Sequence, residues 1–70
     1  MKTIQIRDEF IKLGQALKLS GLCDSGAEVK QLILEEKVKV NHEVCTMRGK
    51  KLYPGDIFEI SSETVQVTSL

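Results

Sequence analysis

The densest chemistry in this sequence is Arg48-Gly49-Lys50-Lys51, where three cations occupy four consecutive positions around a glycine that lets backbone amides approach a bound anion. Lys37 and Lys39 alternate with Val38 and Val40 just upstream, and Lys30 lies one turn into a segment that opens on Ser25-Gly26. A helix starting there adds free amides and the positive end of its dipole. Such groups suit a phosphate. Lysines alternating along a strand are also the ordinary make-up of a solvated face, where they discourage pairing with other chains. Pattern alone leaves both readings open.

Other reactive side chains do not assemble into a site. His42 and Cys45 are spaced as a metal pair with Cys23 as a third donor, but a structural zinc site takes four ligands and usually shows paired cysteines. A dyad of Cys23 and His42 lacks a third group to orient the histidine, and so short a chain scarcely encloses a cleft with an oxyanion site, so the histidine is read as an exposed turn residue and the cysteines as small packing thiols. Asp8-Glu9 and Glu35-Glu36 are adjacent positions, about 100° apart on a helix, so each pair is two solvated charges and not an acid–base couple. Walker and dinucleotide glycine motifs are absent. No enzyme, metal or cofactor is expected.

Seventy residues make a single domain, 1–70, and exclude a two-domain enzyme with a cleft between its halves. Ten basic and ten acidic side chains give a formal net charge of zero. The pI of about 6.6 is not the bulk signature of a nucleic-acid binder, for which values above about 9 are usual. The charge is segregated, however. Residues 1–29 carry four basic and four acidic groups, residues 30–51 six and three, and residues 52–70 none and three. Two cysteines are too few for a disulfide framework, and both are expected as reduced thiols. The N-terminus has no apolar run of signal-peptide length, and the purest apolar run, Leu32-Ile33-Leu34, is far short of a membrane span, so a cytoplasmic protein is expected.

The elements that must position the cations can be read from periodicity. Ile4 and Ile6 alternate with polar residues as in a half-buried strand. Phe10, Leu13, Gly14 and Leu17 share one face of a helix predicted from about Asp8, as cap, to Ser20, with Gly21 as a left-handed stop. Gly14 costs that helix roughly 1 kcal/mol relative to Ala, which implies close approach to another element. Ser25-Gly26-Ala27-Glu28 is a capping box opening a second helix that runs to about Glu36.

Lys37-Val38-Lys39-Val40 is predicted as a strand with its valines inward. Asn41-His42 begins a hairpin turn, for which a three-residue loop placing Val40 opposite Val44 keeps the apolar side chains on one face. Tyr53-Pro54-Gly55-Asp56 has type II turn chemistry, and Ile57–Ile60 and Thr64–Thr68 are two further strands joined across Ser61-Ser62-Glu63. The expected class is α+β, with two helices packed on a small, mostly antiparallel sheet. Phe10 and Phe58 fall in the core pattern, leaving Tyr53 alone and no set of aromatic platforms for unpaired bases.

An ordered set of four motifs resembles a known family. These are Leu13-Gly14-Gln15-Ala16-Leu17-Lys18-Leu19-Ser20-Gly21, Ser25-Gly26-Ala27-Glu28-Val29-Lys30, Val38-Lys39-Val40-Asn41, and Arg48-Gly49-Lys50-Lys51-Leu52 followed by Gly55-Asp56. Over residues 10–60 they resemble the ribosomal-protein-S4-like RNA-binding domain, the alpha-L RNA-binding motif, and within it the small stand-alone bacterial members of the YaaA and YbcJ types. The resemblance implies a non-catalytic module whose helices and hairpin dock on structured RNA, ribosomal or tRNA-like, on the ribosome or its precursors. Neither DNA nor a membrane is an expected partner.

Transferred by motif, the RNA face falls on Lys30, Lys37, Lys39, Arg48, Lys50 and Lys51, with Lys18 a weaker member, while Asn41 has a structural role in the turn. Three positions depart from the pattern: Gly26 stands where many relatives have arginine, His42 where a turn glycine is usual, and Met47 where a basic residue is common in the stand-alone group. A protein-interaction module is the alternative function, using the acidic C-terminal strands or a free sheet edge.

Overall fold

Alternation of Ile4 and Ile6 with polar neighbours builds β1 (Lys2–Ile6), the first element of the computed structural model, which describes residues 1–70. There follow β2 (Ile11–Lys12), α1 (Leu13–Leu19), α2 (Gly26–Leu34), β3 (Val38–Val40), β4 (Glu43–Val44), β5 (Lys51–Leu52), β6 (Ile57–Ile60) and β7 (Glu63–Ser69). Five strands form one sheet in the order β1-β7-β6-β3-β4, and β2 pairs with β5 in a separate two-stranded ladder. Only the β1–β7 pair is parallel, with Lys2 opposite Val65 and Ile6 opposite Ser69.

Register explains the core. Val40 lies opposite Phe58 and Phe58 opposite Val65, while Val38 faces Ile60 and Ile4 faces Val67, so one face of the sheet is an apolar surface. Leu13, Ala16 and Leu17 of α1, with Val29 and Ile33 of α2, close over it together with Leu52 and Cys23. Each large side chain so buried stabilises the fold by about 1.5–3 kcal/mol. The α+β architecture, two helices against a mostly antiparallel sheet, matches the expectation from sequence.

Local details differ from it in five places. The first helix begins at Leu13 and not at Asp8, because Ile11 and Lys12 are drawn into pairing with Leu52 and Lys51. Lys12 is the cap, its N–H donating to Gln15 Oε1 at 3.3 Å. At the second helix Ser25 Oγ accepts from the Glu28 amide at 3.3 Å as expected, but the Glu28 carboxylate takes the Asp24 amide (2.8 Å) and not that of Ser25. That helix ends at Leu34, with Glu35 as cap and Glu36 in the left-handed region at φ 58°.

The hairpin has a two-residue loop. Asn41 (φ 51°) and His42 (φ 73°) are both left-handed, as a primed turn demands, so Val40 faces Glu43 and Val44 faces Lys39 on the solvent side. Val44 is accordingly 48% exposed. The 53–56 turn forms as expected, with the Asp56 amide donating to the Tyr53 carbonyl (2.9 Å) and Gly55 at φ 101°. Asn41 joins the two turns: its Nδ2 donates to Asp56 Oδ1 (3.2 Å), and its Oδ1 accepts from the Ile57 amide (3.0 Å). The β6–β7 turn is also shorter than expected, since Glu63 already pairs with Ile60.

Candidate nucleic-acid interface

Gly14 shows how the cationic loop is held against the helices. The Leu13 and Gly14 amides, free at the start of α1, donate to the carbonyls of Lys50 (2.8 Å) and Arg48 (3.0 Å). Arg48 lies so close over Gly14 that a Cβ there would stand 2.8 Å from Arg48 Cγ. The close approach expected from a helical glycine is therefore the docking of this loop, and it sends the Arg48 side chain out beside α1.

A cleft results, lined by Lys12, Lys18 and Arg48 together with Gln15, Gly26 and Gly49. Arg48 also lines an adjoining hollow with Lys30, Ile33, Leu34 and Thr46. The two surfaces share four cations and contain no carboxylate. None of the four is in an ion pair; the chain's two such contacts lie elsewhere. Gly26, the first residue of α2, brings a helix N-terminus to the cleft, and its amide and that of Ala27 have no acceptor within the chain. Like-signed, exposed cations around free amides repel one another until an anion fills the space.

The remaining predicted cations lie elsewhere. Lys50 lines a hollow beside β4 with Glu43, Val44 and Met47. Lys51, opposite Lys12 across the β2–β5 ladder, places its Nζ 4.8 Å from the centre of the Phe10 ring. Lys37 and Lys39 line a third surface with Glu36, Glu59 and Ser61. Lys39 is directly opposite Glu59 in the sheet, and Lys37 Nζ is 3.3 Å from Glu35 Oε1. The Gln31 side-chain amide and Lys37 both donate to Glu35 and hold its carboxyl below the usual carboxylate range. His42 Nδ1 lies 3.5 Å from Glu59 Oε1 on the same side of the molecule.

Two features of these surfaces were hidden in the sequence. Lys12 was absorbed into the predicted helix; its spacing to Lys18 on that helix gave no hint that it would cap the element and face Arg48. Phe10 does not belong to the core alongside Phe58. It precedes α1, is half-buried, and packs against Tyr53 with ring centres 5.9 Å apart and planes tilted by 51°. Cys23, by contrast, is a core thiol, raised above its ordinary pKa by burial first and then by the nearby Glu28 and Asp24 carboxylates. Cys45 is half-buried; both thiols are free, and no cluster of His, Cys, Asp and Glu suited to a metal is present. No helix is long and apolar enough to cross a membrane.

Comparison with known proteins agrees with this architecture. The S4 domain family matches residues 4–68. RlbA of Bacillus subtilis (strain 168), provisionally named a ribosome maturation protein, is 47% identical over 57 residues, 81% of this chain and 80% of its own. YbcJ of Escherichia coli (strain K12), provisionally named an RNA-binding protein, is 36% identical over 59 residues, 84% of each chain. A solution structure of YbcJ from E. coli, described as revealing an alfa-L motif involved in RNA binding, superposes with a TM-score of 0.74 at 33% identity, covering 97% of this chain and 87% of that one. In matched residues, in fold and in its relatives, the chain belongs to the S4 domain family.

Proposed function

We propose that this chain binds structured RNA, with no catalytic step of its own, by seating phosphates against the Arg48 cleft. The observation that carries this reading is the gathering of Lys12, Lys18, Lys30 and Arg48 on two adjoining surfaces without a carboxylate, in a chain whose total charge is zero. Lys51, opposite Lys12 across the β2–β5 ladder, extends the phosphate track, whereas Lys50 contributes less because it lines a separate hollow with Glu43. Lys37 and Lys39, predicted from sequence as members of it, contribute less because Glu35, Glu36 and Glu59 accompany them. Family membership supports RNA as the polyanion, and the name of RlbA supports a ribosomal RNA or a ribosome precursor as its source.

Binding of a hairpin RNA, followed by fluorescence anisotropy over a series of salt concentrations, tests this. Four neutralised phosphates give a log–log slope of about −3 to −4. A slope near zero, or no binding to a folded RNA at low salt, would sink the reading. The competing protein-interaction module has less to draw on. Asp56 is engaged by Asn41 and by the Tyr53 amide (2.8 Å), and Glu59 lies 3.5 Å from His42 Nδ1, so two of the three C-terminal carboxylates have partners within the chain. A cellular complex that survives nuclease would favour it.

A further inference from the structure

Gln15 is a wall between the Arg48 cleft and a second surface. On its other side lies an open hollow of about 410 Å³ lined by Gln5, Arg7, Asp8, Phe10, Ile11 and Gln15. That volume falls within the roughly 300–1,000 Å³ of small-ligand sites. The lining combines what a nucleobase needs. Phe10 and Ile11 supply apolar surface, and the Phe10 ring is held in place by Tyr53 and by Lys51 Nζ. Gln5, Arg7 and Asp8 supply donors and an acceptor, and none of these side chains makes a hydrogen bond or ion pair within the chain. Lys51, which covers Phe10, stands opposite Lys12, which lines the cleft. A phosphate and a base from one strand can therefore occupy the two surfaces together.

We propose that this hollow takes a single unpaired nucleobase next to the folded RNA, stacked on Phe10, with its edge met by Gln5, Asp8 and Gln15. The inference rests on the RNA-binding reading and adds to it a contact with the base. Every base has a π face, so the site selects an unpaired nucleotide at the end or bulge of a helix before it selects a sequence.

The test compares a blunt hairpin RNA with the same hairpin extended by a short single strand, against the wild-type chain, F10L and R48A. The extended hairpin should bind wild type at least about fivefold more tightly, the lower end of what one base–aromatic stack supplies. F10L should lose that advantage and keep the affinity for the blunt hairpin, with its fold checked by thermal melting. R48A should weaken both RNAs by the same factor and keep the advantage. Independently of any variant, the Phe10 ring-proton resonances should move upfield with the extended hairpin and not with the blunt one. Equal affinity of wild type for the two RNAs overturns the base site and leaves the RNA reading standing, as does an advantage that persists in F10L. Failure of both RNAs to bind overturns the two together.

Discussion

Two groups of cations in this molecule have opposite surroundings. Lys12, Lys18, Lys30 and Arg48 come from three separate elements and a loop, yet share adjoining surfaces free of carboxylates. Lys37 and Lys39 are close neighbours in sequence and look the stronger pair on paper, yet they stand with Glu35, Glu36 and Glu59. The cause is the strand period. Val38 and Val40 take the side facing the helices, so Lys39 must point to the other face of the sheet, where register sets it opposite Glu59. Charge summed along a chain does not see that neighbour. In this fold, the cations that stand together without carboxylates are those that tertiary docking brings together.

The largest effect should come from removing the gathered group. The triple variant K12A/K18A/R48A is expected to lose a hundredfold or more in hairpin affinity at moderate salt, taking roughly 1 kcal/mol or more per charged contact, and to flatten the log–log slope by about 2–3. K37A/K39A is the matched control. It should change affinity a few-fold at most, because its charges are already balanced and their long-range effect is screened. Equal losses from the two variants would erase the distinction between the groups. Thermal melts should place both within about 0.5 kcal/mol of wild type, since the replaced side chains are exposed.

A gain of function sharpens the comparison further. Gly26 lines the cleft, and a Cβ built there meets nothing within 4 Å. G26R should tighten hairpin binding several-fold and steepen the slope by about 0.7–0.9, one more phosphate neutralised. A cation at a helix N-terminus costs about 0.3–1 kcal/mol; replacing glycine offsets this by roughly 0.5–1 kcal/mol. The melting temperature should therefore hardly move. An arginine there that left affinity unchanged would place the phosphate away from α2.

The smallest effect belongs to the balanced group and is read by pH. Glu35 is held below its ordinary value of 4.5 by hydrogen bonds from Gln31 and then Lys37. A depressed folded value means that its contribution to stability is present above the unfolded value and is lost as pH falls through the folded one. Carboxyl carbon shifts should show Glu35 titrating below the ordinary glutamate value. K37A should raise it part of the way, since the bond from Gln31 at 2.6 Å remains. RNA affinity should not follow this titration; if it did, Lys37 would belong to the interface.

Much of this was legible in the sequence, and what was missed has a common origin. Periodicity gave the two helices, the inward valines and the strands, because each depends on side chains a few positions apart. Gly14 announced a close approach through its cost to the helix, but not that Arg48 was the partner. The start of α1 was misplaced by five residues, since the pull on Ile11 and Lys12 comes from Lys51 and Leu52, some 40 positions away. The same error hid Lys12 from the site and sent Phe10 to the core. In the hairpin, apolar alternation argued for Val44 inside, but a turn with both central residues left-handed leaves no third residue in the loop. Local turn chemistry decided the register, and Val44 went to solvent.

The parallel β1–β7 pair imposes an order in time. Residues 2–6 have no strand partner except residues 65–69, and Thr68 Oγ1 reaches the Ile4 carbonyl (2.9 Å) across 64 positions. During synthesis every cationic residue has been made before that strand exists, yet Ile4 and Ile6 still lack a neighbouring strand. Long-range closure of this kind is slow compared with local pairing. A nascent chain stalled before Val65 would thus carry every cation while its sheet still lacked the strand that joins β1 to β6.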